Sequence, residues 1–334
     1  GIIRTQELLS ARRTDGANQY FTRARDFGYS KTPAETLEKW NENELLEDVV
    51  WVIRHYKPDV IITRFSPVEN ADRPTHGHHT ASAMLAVKAF KLAADPKAYP
   101  HQLKTLKIWQ PATLLWNTSS WFYGSKEKLE ETLKKENRPF VKVAVEDYIP
   151  LLGQSCPEIA AASRTMHKSQ GFGSSPAFGE QFEYLEFLDG TAIGENIFGN
   201  IKSRYEASTL SKKLKSDIDK IISQYNGNAP WQSVPKLMAV KAQFEQLEKE
   251  DSRFNSADVS EIIQQCLGLK ILANSSARFV ARGDTAAITV LLRNPSEIDI
   301  QNISVQLPDG SKHNMGDLKA KSFLQKEIKL AIAD

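Results

Sequence analysis

Two stretches decide the fold: Lys57-Pro58-Asp59-Val60-Ile61-Ile62-Thr63-Arg64-Phe65 and, after a polar loop, Thr75-His76-Gly77-His78-His79-Thr80-Ala81-Ser82. The first is short, β-branched and continuously apolar at its centre, the pattern of a strand covered on both faces of a parallel sheet. Proline disfavours a helical residue before it. The helix predicted from Thr36 to Tyr56, with Leu45, Leu46, Val49, Ile53 and Tyr56 on one face, therefore stops at Lys57-Pro58. After the loop from Ser66 to Pro74 a further helix is predicted from about Thr80 to Ala94. Such a strand-loop-helix step puts the loop at the carboxyl end of the strand, where open α/β sheets bind their ligands.

Working outward, Leu9, Gly16, Ala17, Tyr20 and Ala24 recur at helical spacing and predict a helix from Thr5 to Arg25. Arg13 falls on that stripe, where a guanidinium is either satisfied by a carboxylate or a helix C-terminus or reaches a ligand. Strands are predicted at Ala112 to Trp116 and Val141 to Val145, and a helix from about Pro157 to Lys168. Residues 1–200 thus read as an α/β domain with a Rossmann-like, mostly parallel sheet. The Gly-rich, aromatic stretch from Gly171 to Gly199 has little periodicity and reads as a long loop or lid.

Residues 201–272 read as a helical connector of two or three amphipathic helices, broken at Asn226-Gly227-Asn228 and Pro230. From 273 to 334, Ile288/Val290/Leu292, Ile303/Val305/Leu307 and Ile328/Leu330/Ile332 alternate with period two between Gly- and Pro-containing turns. These are four to five sandwich-type strands, where an immunoglobulin-like sandwich takes roughly seven. The expectation is a partial C-terminal β-sandwich.

Bulk properties narrow the class. At roughly 150 residues per domain, 334 residues make about two domains. The 41% hydrophobic and 25% charged composition is that of a globular chain and excludes disordered, collagen-like and coiled-coil readings. Forty-three Lys+Arg against 41 Asp+Glu leave +2, without the basic block of a nucleic-acid binder. Cys156 and Cys266 match no metal spacing and read as ordinary thiols. No run of 18 apolar residues predicts a membrane span.

Three of the seven histidines fall within four residues. His76 and His79 are three apart, so at a helix N-terminus their rings can share a side while His78 points elsewhere. Neutral imidazole is a zinc ligand, and a catalytic zinc site takes three protein ligands plus water. The cluster can supply part of such a site, or it can be a set of polar residues capping the helix that follows.

The order of the Arg13 helix, the Pro58-Asp59-Val60-Ile61-Ile62-Thr63 strand, His76-x-x-His79 and the later His167-Lys168-Ser169-Gln170 resembles the PIG-L/LmbE-like family of zinc-dependent de-N-acetylases, over roughly residues 1–190. The resemblance implies that His79 binds Zn²⁺, or another divalent metal, and that His76 polarises or protonates the reacting amide. His78 stands where the family often has Asp. Family members begin with a strand ending in His-Pro-Asp-Asp, which supplies two further ligands and the general base; that motif is absent from the 334 residues. The expectation is therefore a first strand lying upstream of Gly1 and a fragment inactive by itself.

In the intact parent, the resemblance implies hydrolysis of the acetamide of an N-acetylglucosamine-type sugar or glycoconjugate. Zinc would supply an activated water, and a protonated His76 would stabilise the tetrahedral oxyanion and then protonate the departing amine. Arg13 and Arg64 are weaker candidates for substrate contact, Arg64 reading equally as half of an ion pair, and Trp116, Trp121, Phe122 and Tyr123 read either as stacking on a sugar ring or as core packing. The alternative is a non-catalytic carbohydrate-binding or scaffold protein that keeps the fold. Phosphate-ester hydrolysis is disfavoured because the sequence shows no carboxylate-rich metal cluster. The appended sandwich favours an exported or periplasmic protein over a cytoplasmic one.

Overall fold

The computed structural model describes residues 1–69, 75–171 and 173–332. Asn70 to Pro74, the second half of the loop after the first strand, and Phe172 lie outside the described residues. The chain divides into two compact units, Gly1–Ile201 and Lys202–Asp334.

The first unit opens with α1 (Ile2–Asp15), α2 (Pro33–Trp40) and α3 (Glu42–Tyr56), followed by β1 (Val60–Thr63) and α4 (Gly77–Leu92). Then come β2 (Thr113–Thr118), α5 (Lys126–Lys135), β3 (Phe140–Ala144), a small hairpin of β4 (Tyr148–Ile149) and β5 (Gln154–Ser155), α6 (Cys156–Thr165) and β6 (Phe182–Gly190). The architecture is mixed α/β, with a four-stranded sheet in the order β1-β2-β6-β3. β1 runs parallel to β2, with Val60 opposite Thr113 and Thr63 opposite Trp116. β6 pairs antiparallel with both β2 and β3. The sheet is accordingly mixed, and the expectation of a mostly parallel one is corrected: of its three described pairings, one is parallel.

That correction has its source in β6. The stretch expected to be a loop or lid contains a nine-residue strand between β2 and β3, and Tyr184, Leu185 and Glu186 are buried in it. Burial on both faces erases the period-two alternation that marks a half-exposed strand. The flanking glycines then dominate the local pattern.

Two other boundaries moved for local reasons. The single helix predicted from Thr36 to Tyr56 is two, broken where Asn41 adopts φ 61°. The first helix ends at Asp15 because Gly16 takes a left-handed cap at φ 75°, a conformation open to glycine at little cost. Ala17, Tyr20 and Ala24 lie beyond it, so the stripe that placed Arg13 inward does not exist. Arg13 is exposed and donates to Ser10 Oγ at 2.8 Å. The helix turns Ala11 inward instead, and Arg12 pairs with Asp15. Asp15 also accepts from Ser163 Oγ of α6 at 2.8 Å, which ties α1 to α6. Arg12, with Ser163 and the Ala17 N–H, holds the Asp15 carboxyl down at about 2.

α2, α3 and α4 pack around Leu45, Leu46, Val50, Ile53, Leu85 and Ala89, with Ile61 of β1 against the cluster. α5 lays Leu129 and Leu133 on Tyr184 of β6. Burying these leucines contributes roughly 1.5–3 kcal/mol each. The two clusters fix β1 and β6, the strands that carry the candidate site.

In the second unit, α7 (Thr209–Ser223), α8 (Val234–Glu248) and α9 (Ser256–Leu267) pack around Leu214, Leu237, Val240, Phe244, Phe254 and Val259. Five antiparallel strands follow: β7 (Lys270–Ser275), β8 (Thr285–Asn294), β9 (Ile300–Gln306), β10 (Lys312–Leu318) and β11 (Ser322–Ala331). They form a three-stranded sheet, β11-β8-β7, and a two-stranded one, β10-β9, around a core of Val290, Leu292, Leu307, Met315, Leu318 and Ile328. Cys156 and Cys266 are free thiols. Among the described residues no helix is long and apolar enough to cross a membrane.

Candidate functional site

The histidine cluster stands where β1 gives way to α4. His76 is the N-cap of α4, extended at φ −60° and ψ 144°, and its carbonyl accepts the His79 N–H at 2.9 Å. A helix N-terminus leaves its first N–H groups unpaired and carries a partial positive charge. Gly77 allows the helix to start here. Its N–H donates to Ser30 O at 2.9 Å, and a Cβ at this position would lie 2.1 Å from Thr32 O. The Ser30–Thr32 backbone is itself held by Ser30 Oγ, which donates to Thr32 O at 2.9 Å, and by Thr36 Oγ1, which donates to Ser30 Oγ at 2.8 Å.

The imidazoles of His76 and His79 lie nearly parallel, 5.1 Å between centroids and 18° between planes. His79 is sandwiched: its other face stacks on Phe65 at 3.8 Å and 3°. Tyr29 closes on His76 edge-to-face at 4.8 Å. His78 turns away into Phe27 and Trp40, at 4.8 and 5.1 Å. The structure thus brings together the two histidines that the i, i+3 spacing selects and separates the third. Burial, followed by the neighbouring His76 and His78, holds the His79 pKa below its usual value. A neutral imidazole offers a lone pair at neutral pH.

Arg64, just past β1, is exposed; it donates to the side chain of Asn117 at the end of β2, and Asn117 in turn donates to Glu183 Oε2 at 2.7 Å. Ser169 belongs to a short 3₁₀ turn, Lys168–Gln170, and its N–H and Oγ donate to Glu7 of α1 at 2.6 and 2.8 Å. This contact fixes the turn to α1. Among the described residues no group of three or more His, Cys, Asp or Glu side chains is placed to hold a metal ion. Two imidazoles are fewer than the three protein ligands of a catalytic zinc site, so the described residues fit part of such a centre and not the whole.

Beside the histidines opens a cavity of about 570 Å³. Its walls include Ser66 to Glu69, the loop following Phe65, and Thr75, the residue preceding His76. Thr75 Oγ1 is hydrogen-bonded to Thr80 Oγ1 of α4 at 2.8 Å. The far wall is aromatic, from Trp116, Phe122 and Tyr123, and carries the Arg138–Glu186 pair. Of the four aromatic residues read as a stacking cluster or as core, Trp116, Phe122 and Tyr123 line the same cavity, Trp116 being buried, while Trp121 is exposed and meets Phe122 edge-to-face at 4.9 Å.

Arg138 and Glu186 are the polar groups that the sequence reading did not single out. Glu186 is 5% exposed and accepts two hydrogen bonds from Arg138, Nε to Oε1 at 2.7 Å and Nη2 to Oε2 at 2.6 Å. Arg138 also donates to Glu136 at 2.9 Å. Burial raises the Glu186 pKa more than the guanidinium lowers it. Burial opposes the charge on Arg138 too, but its bonds to Glu186 and Glu136 outweigh that and hold it firmly protonated. A signal existed in the sequence: Glu186 is one of two carboxylates, with Glu183, inside the otherwise aromatic and apolar run Phe182-Glu183-Tyr184-Leu185-Glu186-Phe187-Leu188.

Fold and site together define a mixed α/β protein with a paired-imidazole site past the end of a parallel strand, next to an aromatic cavity. No protein-family model matches the chain, and no curated protein matches it.

Proposed function

We propose that this chain carries the histidine half of a zinc-dependent deacetylase site acting on acetylated amino sugars or their glycoconjugates. The observation that carries the reading is the His76–His79 pair: two parallel rings 5.1 Å apart at the start of α4, one of them held neutral by burial. In this reading His79 is a metal ligand. His76 faces the substrate and, when protonated, donates to the oxygen that gains charge as the acetyl carbon becomes tetrahedral, then to the departing amine. Phe65, stacked on His79, excludes water from one ring face and fixes the ring plane.

The remaining ligands and the general base would come from a His-Pro-Asp-Asp motif outside these 334 residues, on a Rossmann-like first strand. β1 supports that placement. It is an edge strand of the described sheet, and a further parallel strand would pair its outer backbone groups. The five-stranded C-terminal part reads in the same proposal as the start of an immunoglobulin-like sandwich.

The test is acetate release from N-acetylglucosamine derivatives by zinc-loaded protein extended upstream in its reading frame. Release that is abolished by chelation supports the reading. An upstream sequence without His-Pro-Asp-Asp, or no release from the extended protein, overturns it. A binding protein without catalysis would then be the better account, on the strength of the aromatic cavity alone.

A further inference from the structure

The cavity beside the histidines has a chemistry of its own. One guanidinium, Arg138, faces three carboxylates, Glu69, Glu136 and Glu186, among the described residues that line it. One positive against three negative charges leaves a net −2, or −1 with Glu186 protonated, so the described lining is negative in either state. Arg138 is a poor anion trap, its charge already paired with Glu136 and Glu186. Three of its five N–H donors are committed, two to Glu186 and one to Glu136, and an incoming anion would have to displace charge-assisted bonds.

We propose that this cavity selects its ligand by charge, accepting a neutral or cationic hydroxylated ring and rejecting an anionic one. Trp116, Phe122 and Tyr123 make part of the lining aromatic, the kind of surface against which the C–H side of a sugar ring packs. Glu136 and Glu69 are exposed at the rim and accept hydrogen bonds from hydroxyl or ammonium groups. Burial pushes the Tyr123 phenol above its usual pKa, so it remains a neutral donor. The inference rests on the deacetylase reading only in assigning the ring to an amino sugar: an acetamide is neutral and the amine formed from it is cationic, so both fit the wall. Phosphorylated or uronic-acid substrates are disfavoured by the same charges.

The experiment is calorimetric titration of the chelator-treated 334-residue chain, at about pH 6.5, with three methyl glycosides: glucosaminide, N-acetylglucosaminide and glucuronide. The ammonium and neutral sugars bind, and the glucuronide binds at least about five-fold more weakly than the neutral one, the Coulomb effect of one unit charge at contact distance in water. Glu136→Lys reverses the order and strengthens glucuronide binding by at least about five-fold. Glu69→Lys, which leaves the Arg138 contacts intact, shifts it in the same direction. Glucuronide binding as tight as the neutral sugar, an unchanged order in both variants, or binding of none of the three overturns the proposal. No zinc is present in this assay, so failure of the zinc reading leaves the charge order standing, and failure of the charge order leaves the zinc reading standing.

Discussion

Two arginines of the first unit are each held by several hydrogen bonds, and they do opposite things. Arg54 is 0% exposed at the junction of α3 and α4, where it donates to the carbonyls of Leu92, Ala93, Asp95 and Ala98 and to Gln102. Its partners are the C-terminal end of α4 and the turn after it, and the charge is spread over carbonyl dipoles, those of Leu92, Ala93 and Asp95 also accepting a backbone N–H. Arg138 is paired with carboxylates, one buried and one exposed, on the wall of a cavity. The first arrangement closes on itself and is structural. The second leaves surplus negative charge facing open space, and so can discriminate among ligands. A buried cation alone marks no site; what matters is whether charged partners are left facing a cavity.

Substitutions can break this contrast. Arg54→Met removes the single donor group shared by at least four buried or half-buried carbonyls, and we expect a loss of about 3–5 kcal/mol, read as a lower urea midpoint. Sugar binding by the protein that remains folded should be unchanged. Arg138→Met leaves Glu186 alone in the sheet, but that carboxyl is already biased towards its neutral form, so the loss should be smaller. The sign with pH follows. A carboxyl whose folded pKa is raised above its unfolded value favours the folded state as pH falls, so the variant should recover stability relative to the wild type on acidification from pH 7 to about 5. A deficit that stays constant with pH would mean that Glu186 is not the group left unpaired.

A third substitution sharpens the placement of the histidines. Gly77→Ala forces Thr32 O and the new methyl apart, because no side chain can yield where the contact is backbone. An expected loss of about 1–3 kcal/mol should be accompanied by changed His76 and His79 ring resonances in NMR spectra, since α4 must back away from the Ser30–Thr32 loop.

The sequence made β1, α4 and the histidine pair legible because each is a local signal: a β-branched run, a proline stop, and an i, i+3 spacing. The mixed sheet was hidden because β6 is buried on both faces and bordered by glycines, and it therefore lacks alternation. Arg13 was placed inward because the helical stripe was read through Gly16, which in fact ends α1. The Arg138–Glu186 pair joins residues 48 apart, and no local pattern specifies such a partnership. What the sequence could offer there was an anomaly, a carboxylate in an apolar run, and a buried carboxylate needs a cation somewhere.

The central claim is the division of labour between the two stacked imidazoles, and bound zinc measured in single variants of protein bearing the complete site tests it most directly. His79→Ala should lose the metal. His76→Ala should keep it while turnover falls by about 10²- to 10³-fold, the effect of removing one oxyanion donor. Equal zinc loss in both variants, or zinc retained in both, would contradict the account.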